Sequence, residues 1–493
     1  MPQPTRRSFW KDLSRETAVG QQRRDFLKRA AAGGLAAAFA ISGTKAAGRI
    51  LGANDRVRVA VAGIHGRGQQ HITAYGEMRD VEIAWLVDPD SRLFASRSAA
   101  VQKLAGNTPQ CVQDLRRALD DKTLDAVSIV TPNHWHALLT IWACQAGKDV
   151  LVEKPCSHNI VEGRRIVEAA RKYHRIVQHG TQRRSDPQWS ALTAEVRSGK
   201  YGTLRLARIQ IHRPRESIGV RSPQRPPVEL DYDLWNGPAP VHPYRTNLVH
   251  YDWHWIWDFG NGEIGNLGTH QLDLARWAMP ADAAPQRVVS VGGRFGYQDQ
   301  GQTPNTQLTL FDCGDVKLLC EQRGLVDRKA TKVTVEFHTS EGVVKEGKFF
   351  PAGRQDGEPI EGAPIGGFAD LGRLHFRNFI DCIRSRKREE LNAEILEGHR
   401  SALLAHLGNI SYRLGEDVPF DEPTQIFGSD TLAHAALEDM KRHLADAANL
   451  DLAAAYRLGR TLQFDARAEK FVADAEADRM LTRPYRGPFA MPE

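Results

Sequence analysis

The 493-residue sequence predicts an α/β protein in two parts, an N-terminal doubly wound parallel sheet and a C-terminal α+β domain with a mainly antiparallel sheet. Three observations predict this. From Arg56 onward, short apolar runs alternate with segments of helical periodicity, the pattern of strand–helix–strand units that pack as a parallel sheet. The first run ends in a glycine-rich turn, Gly63 to Gly68, of the kind that joins the first strand of such a sheet to its helix. Beyond Lys200 the apolar runs are separated by Gly, Pro and Asp turns at hairpin spacing, which suits antiparallel neighbours.

A segment with its own logic precedes the sheet. Residues 1 to 46 hold nine Lys or Arg against three acids, and the rest of the chain balances at 57 of each. The whole formal charge of +6 therefore sits in the leader. A neutral body has no phosphate-tracking surface, so nucleic acid is not expected as a partner. Arg23-Arg24-Asp25-Phe26-Leu27-Lys28 is a twin-arginine motif, followed by a small apolar run from Ala30 to Ile41 and by the small-x-small pattern Thr44-Lys45-Ala46. A second match, Thr5 to Lys11, has no apolar run behind it. Residues 1 to 46 are thus expected to be a twin-arginine export signal, with the export machinery as partner and a periplasmic or secreted destination. The apolar run is too short for a permanent membrane span.

The elements follow in order. Val57 to Ala62, Val81 to Val87, Ala126 to Val130, Val150 to Val152 and Ile176 to Gln178 read as buried strands. Between them, Gln69 to Tyr75, Ser91 to Leu104, Leu115 to Leu119, Trp135 to Ala146 and Val161 to Tyr173 read as helices. Together they form a dinucleotide-binding Rossmann domain at residues 55–180. After a helix at Trp189 to Ser198, strands are expected at Leu204 to His212, Val288 to Phe295, Thr306 to Phe311, Val316 to Glu321 and Thr331 to Phe337, with a Pro-rich loop from Arg213 to Pro240. Helices at Leu371 to Ser385 and Ala393 to Arg413 complete an α+β domain at residues 181–415, expected to serve as the substrate and oligomerisation domain. Residues 416–493 read as a tail with helices at Asp430 to Ala445 and Ala466 to Glu476. The six cysteines are sparse and lack C-x-x-C spacing, so neither a disulfide framework nor a zinc site is expected, with Cys313 and Cys320 as the one pair placed to bridge.

The residues that carry chemistry stand where these strands end. Gly63 and Gly68 take the first and third places of a dinucleotide fingerprint, His65 takes the second, and Gly66 offers compensating room. Asp88, at the end of the second strand, is at the position that binds a ribose 2′-hydroxyl and repels a 2′-phosphate. This favours NAD, with NADP as the alternative through Arg67 or Arg92. Thr131, Pro132, Asn133 and His136 follow the strand that begins at Ala126 and face the same crevice. In Glu153-Lys154-Pro155 the lysine is placed to exchange a proton with a substrate hydroxyl. The run Tyr251 to Asp258 has three tryptophans in five positions. Trp253 and Trp255 with His254 and Asp258 suit either a sugar-binding wall or a packed core or interface strand. His250, His254 and Asp258 have a metal-compatible spacing only on a helix, which nothing here dictates, so no metal is expected.

Taken in order, these motifs resemble the Gfo/Idh/MocA oxidoreductases, typified by glucose-fructose oxidoreductase and inositol dehydrogenase. The resemblance rests on Gly63 to Gly68, Thr131 to His136, Glu153-Lys154-Pro155, Gly180-Thr181-Gln182, Asp252 to Trp255 and Gly265 to Asp273. His375 to Phe379 and Gly408 to Arg413 look like the exported bacterial subgroup. The resemblance implies that Lys154 and His270 act on a sugar or cyclitol hydroxyl while the nicotinamide takes hydride, with Glu153 and Gln182 beside the cofactor. It also implies a homo-oligomer, dimer or tetramer. The family's Asp-x-x-x-His motif maps to Asn266 through His270, so an amide replaces the acid. Asp273, one turn beyond His270, either orients that imidazole or is a solvated helix acid.

The leading expectation is an exported nicotinamide-dependent oxidoreductase acting on a secondary hydroxyl of a sugar, glycoside or cyclitol, with a retained cofactor. One alternative is an NAD-dependent glycosidase that oxidises C3 transiently, eliminates the aglycone and adds water. Another is a sugar-binding protein whose cofactor is structural.

Overall fold

The computed structural model describes residues 55–364, 371–420, 424–448, 450 and 455–492. The segment expected to be an export signal, 1–46, lies outside the described residues. The first domain is a six-stranded parallel sheet, β1 (Val57–Ala62), β2 (Val81–Val87), β3 (Gln110–Val112), β4 (Ala126–Ile129), β5 (Asp149–Val152) and β6 (Val177–His179), in the order β3-β2-β1-β4-β5-β6. Helices α1 (Gly66–Gly76), α2 (Phe94–Ala105), α3 (Leu115–Leu119), α4 (Asn133–Gln145) and α5 (Ile160–Lys172) connect the strands. The central strands are predominantly apolar because helices cover both faces. Val57, Val59, Ala60 and Val61 of β1 are all fully buried. The chain order reverses between β1 and β4, and the ligand crevice opens there, at the carboxyl ends of the strands.

The second domain is built on a twelve-stranded sheet. Its strands are β7 (Leu204–His212), β8 (Arg287–Gly293), β9 (Thr306–Asp312), β10 (Lys317–Arg323), β11 (Lys332–Thr339), β12 (Gly342–Lys345), β13 (Lys348–Pro351), β14 (Glu358–Pro359), β15 (Glu416–Pro419), β16 (Ala455–Leu458), β17 (Leu462–Asp465) and β18 (Lys470–Phe471). The pairing is antiparallel except between β7 and β10. Alternation along each strand gives the sheet two apolar faces. On one, Ile209 and Phe311 pack against Leu272 of the helix Thr269–Ala278 and Leu407 of the helix Ile395–Arg413. On the other, Leu308 and Leu310 pack against Leu437 and Met440 of the helix Thr431–Ala448.

The structure departs from the sequence reading at several places, among them the added edge strands β12, β13 and β14 and a short helix, Tyr232–Asn236, inside the stretch read as a Pro-rich loop. The edge strand β3 is a further element. The stretch read as a tail contributes β15, β16 and β17 to the large sheet, beside β8, and its end returns to the first domain, where Phe489 packs on Trp135. The helix expected at Ala466 to Glu476 is instead the β17–β18 hairpin. Asp465 Oδ1 accepts from the amides of Arg467 and Ala468 at 2.8 and 3.0 Å, Glu469 turns with φ 51°, and a short helix starts only at Ala475. A local side-chain turn thus overrides the helical propensity of an Ala- and Glu-rich stretch. All six cysteines are free thiols, so Cys313 and Cys320 are not bridged.

Candidate active site

A cavity of about 580 Å³ lies between the two domains, at the carboxyl ends of β1, β2, β4 and β5. Its dinucleotide side starts from the turn after β1. Gly63 has φ +86°, and a Cβ there would meet the Val130 carbonyl oxygen at 2.5 Å. A Cβ on Gly68 would lie 2.0 Å from the Gly63 oxygen, whereas one on Gly66 would meet nothing within 4 Å. Gly63 and Gly68 therefore set the turn and the helix packing, and Gly66 leaves space. The amino end of α1 has no capping side chain and no acid in its first turn, so its first amides remain available to an anion. Asp88 is buried at the cavity wall, and its two oxygens accept from the amides of Ile64 (2.9 Å) and Asp90 (3.0 Å). Each oxygen keeps a further lone pair for a ribose hydroxyl. Unclaimed helix amides, a cradle without a Cβ and a carboxylate at the end of β2 together fit a dinucleotide.

Deeper in the cavity Glu153 is the node. Its Oε1 accepts from Arg67 Nε (2.8 Å), His71 Nε2 (3.0 Å) and Gln182 Nε2 (3.1 Å), and its Oε2 from the Lys154 amide (3.2 Å). Burial alone would raise its pKa, but Arg67 and His71 outweigh that and hold it well below the usual carboxylate range. The carboxylate thus ties the α1 turn, β5 and the loop after β6 into one unit. His136 does the same on the other side, its ring lying between the Pro155 carbonyl (2.6 Å) and the Thr131 carbonyl (2.7 Å). Asn133 donates to Asn261 Oδ1 at 3.0 Å and so links α4 to the second domain.

Lys154 projects from this unit. Its Nζ donates to both the Asn266 carbonyl and Asn266 Oδ1, each at 2.9 Å. Asn266 lies in a π-helical turn, Ile264–Gly268, that leads into the helix Thr269–Ala278. Such a widened turn breaks the regular hydrogen-bond ladder and is frequent at functional sites. Burial pushes the Lys154 pKa down to about 8, with Arg67 adding to the effect and Glu153 opposing it. His270 faces the same cavity, and burial, with Lys154 second, holds its pKa well below the ordinary value. His254 donates from Nδ1 to the Tyr251 carbonyl (2.6 Å), its pKa falls to about 3 through burial, and its ring stacks on Trp253 at 3.6 Å. The cavity therefore holds an ammonium near its titration point and two neutral imidazoles beside an indole.

Of the residues singled out from the sequence, Gly63, His65, Gly66, Arg67, Gly68, Asp88, Thr131, Pro132, Asn133, His136, Glu153, Lys154, Gln182, Trp253, His254, Asn266 and His270 line this one cavity. Four take other positions. Arg92 chelates Asp90 through Nε (2.7 Å) and Nη2 (2.5 Å) rather than facing the ribose position. Trp255 is buried, with the Arg215 guanidinium 5.3 Å from its ring centre. Asp258 accepts from His242 Nε2 at 2.7 Å. Asp273 accepts from Arg184 Nε at 2.8 and 2.9 Å and from Ser401 at 2.7 Å, so it anchors its helix instead of orienting His270. In each case a nearby opposite charge or packed aromatic neighbour claims the side chain first.

Sequence reasoning missed Glu263. It is buried, binds Arg215 through both oxygens (2.8 and 2.9 Å) and lies 3.5 Å from Asn266 Nδ2. Its position three residues before Asn266, on the same turn, was the available signal. His71 was also missed, and His250 and Tyr251, named from the sequence only for their spacing and as the start of the tryptophan run, line the cavity. Among the described residues, no group of three or more His, Cys, Asp or Glu is arranged to hold a metal ion, and no helix is long and apolar enough to cross a membrane.

Fold and crevice define a two-domain oxidoreductase with an NAD-binding Rossmann domain. Residues 57–181 match the model of the oxidoreductase family's NAD-binding Rossmann fold, and residues 218–447 match that of its C-terminal alpha/beta domain. The chain belongs to the Gfo/Idh/MocA oxidoreductase family. It is similar to the rhizopine catabolism protein MocA of Rhizobium meliloti, with 26% identity over 53% of this chain and 68% of that protein. It is also similar to inositol 2-dehydrogenase of Leifsonia xyli subsp. xyli, with 34% identity over 32% of this chain and 45% of that protein. The chain thus spans about two thirds of the first relative's length and less than half of the second's. Among solved structures, the fold resembles the WlbA dehydrogenase from Bordetella pertussis in complex with NADH and UDP-GlcNAcA (TM-score 0.53, 18% identity, 71% of this chain and 93% of that one). It likewise resembles a levoglucosan dehydrogenase complexed with NADH (TM-score 0.55, 17% identity, 72% and 96%).

Proposed function

We propose that this chain is an exported NAD-dependent oxidoreductase that acts on a secondary hydroxyl of a sugar, glycoside or cyclitol and keeps its cofactor between turnovers. The observation that carries the reading is Lys154 Nζ, held by Asn266 in the crevice with its pKa lowered to about 8. When bound, the nicotinamide supplies the hydride acceptor. In its neutral form Lys154 takes the hydroxyl proton as the carbinol carbon gives up hydride, and the two Asn266 oxygens hold the resulting ammonium. Neutral His254 and His270 hydrogen-bond neighbouring hydroxyls, and Trp253 and Tyr251 offer ring faces to the sugar. Inositol 2-dehydrogenase and the levoglucosan dehydrogenase, named above for what they act on, support this substrate class. NAD is favoured over NADP because Asp88 stands at the ribose position while Arg92 and Arg67 are engaged by Asp90 and Glu153. A twin-arginine signal at residues 1–46 and a homo-oligomeric assembly, dimer or tetramer, complete the proposal.

Asn266 in place of an acid favours a second reading, an NAD-dependent glycosidase in which the ketone formed at C3 is later reduced by the same cofactor. Mass spectrometry of the nucleotide released on denaturation, followed by product analysis with cyclitols and aryl glycosides, tests both. Oxidised cyclitol or sugar supports the dehydrogenase; aglycone released without net oxidation supports the glycosidase. A chain that takes up neither NAD nor NADP removes both.

A further inference from the structure

The second place of the glycine fingerprint holds His65, where a side chain ordinarily crowds a diphosphate. The structure gives that side chain a partner. The His65 imidazole stacks on that of His250, with ring centres 4.6 Å apart and planes 7° from parallel. His250 comes from the other domain, immediately before the cavity-lining residues Tyr251, Trp253 and His254. Its Nε2 donates to Asp90 Oδ2 at 2.9 Å, and Asp90 is itself buried and chelated by Arg92. Both imidazoles line the cavity together with Gly63, Gly66 and Asp88, the residues that fit the dinucleotide.

A second stitch crosses the same rim. Leu230, in the Pro-rich segment, forms an isolated antiparallel bridge with Asp90; the Ser91 amide donates to the Glu229 carbonyl (3.1 Å) and the Asp231 amide to the Pro89 carbonyl (2.9 Å). The loop after β2 is therefore joined to the second domain by main-chain bonds, and the loop after β1 is joined to it by the imidazole stack. The main-chain bonds hold the loop after β2 in place, so freeing the loop after β1 over the phosphate end of the crevice requires the imidazole stack to break.

We propose that His65 and His250, anchored on Asp90, form a clasp over the dinucleotide's diphosphate that slows its release. The inference rests on the proposed cofactor role and explains why a bulky residue occupies the second fingerprint position: it is one half of the clasp. The two halves act as one device, so losing either gives most of the effect of losing both.

The test is a release-rate measurement on the full chain loaded with NADH, chased with excess NAD and followed by nicotinamide fluorescence. His65→Ala and His250→Ala are each expected to release NADH at least tenfold faster than wild type. The double variant is expected to be no more than about twofold faster than the faster single variant. Unchanged release in both single variants, or singles whose factors multiply in the double, overturns the clasp. His65 is exposed in the crevice, so its variant still decides for or against the clasp if loss of His250 disturbs folding. Wild-type protein that binds no dinucleotide removes the proposed function itself, whereas binding with equal release from every form removes only the clasp.

Discussion

Lys154 Nζ lies 2.9 Å from both the main-chain and the side-chain oxygen of Asn266, although the two residues are 112 positions apart and sit in different domains. This contact places the lysine's hydrogen-bond acceptors on the opposite domain. The lysine leaves β5 rigidly tied to Glu153, and both of its protein acceptors come from a π-helical turn in the second domain.

A first prediction concerns pH. The base form of Lys154 is needed to accept a hydroxyl proton, and burial lowers its pKa to about 8. The rate of substrate oxidation should therefore rise about tenfold per pH unit below 8 and level off above it. Lys154→Met should lower kcat by about 10²- to 10⁴-fold and abolish this limb while bound nucleotide is retained. Steady-state pH profiles and the nucleotide content of the purified variant check both halves.

Asp273 separates a structural from a catalytic reading. Arg184 and Asp273 are 6% and 1% exposed at their side chains and form an ion pair. Asp273→Asn leaves a buried guanidinium with reduced compensation and should cost about 3–5 kcal/mol of stability. The kcat of the molecules that remain folded should change by less than about threefold, because the carboxylate does not reach His270. Denaturant titration together with active-site counting distinguishes this from a role in orienting the imidazole, which would lower kcat without unfolding the protein.

Much of the first domain was legible because its strands are buried on both faces and so appear as continuous apolar runs bounded by turns. β3 was not, since Gln110-Cys111-Val112 is three residues long and pairs with one neighbour only. The site was legible where it is local: glycines after β1, Asp88 after β2, Glu153-Lys154 after β5. Long-range choices of partner were not. That Asp273 takes Arg184, 89 residues away, or that Asp258 takes His242 depends on which charges the folded chain brings together. Spacing along a helix shows only who is adjacent, and for Asp273 the adjacent His270 was the wrong partner.

Buried histidines make the fold acid-sensitive. His179, His254 and His406 have pKa values lowered to about 3, and His375 to about 4, chiefly by burial. Below their unfolded value of about 6.5 the unfolded chain binds protons that the folded chain refuses, so stability is full above that pH and falls as pH drops. Each of the four should contribute about 1.4 kcal/mol per pH unit between roughly 6 and 4. Urea midpoints measured from pH 7 to 5 should fall steeply, with an uptake of more than four protons on unfolding at the acid end, because burial also holds His134, His158, His212 and His270 low. A midpoint that stays level over this range would contradict the buried neutral imidazoles.

The last prediction concerns the amide that replaces the family's acid. Asn266→Asp would place a carboxylate 2.9 Å from Lys154 Nζ and close to Glu263, whose Oε2 now lies 3.5 Å from Asn266 Nδ2. The new charge favours the lysine ammonium, so the ascending limb of oxidation should move to higher pH by about one unit or more. At neutral pH the variant should oxidise a cyclitol or sugar about tenfold more slowly, and above the shifted limb it should approach the wild-type rate. Glu263→Gln removes a negative charge from the same cluster and should move the limb the opposite way. Pairing it with Arg215→Met, which takes out the guanidinium held by Glu263, should bring the limb back toward wild type. A limb that stays in place in Asn266→Asp, on a substrate the wild type converts, would show that Lys154 is not the group whose deprotonation starts the reaction.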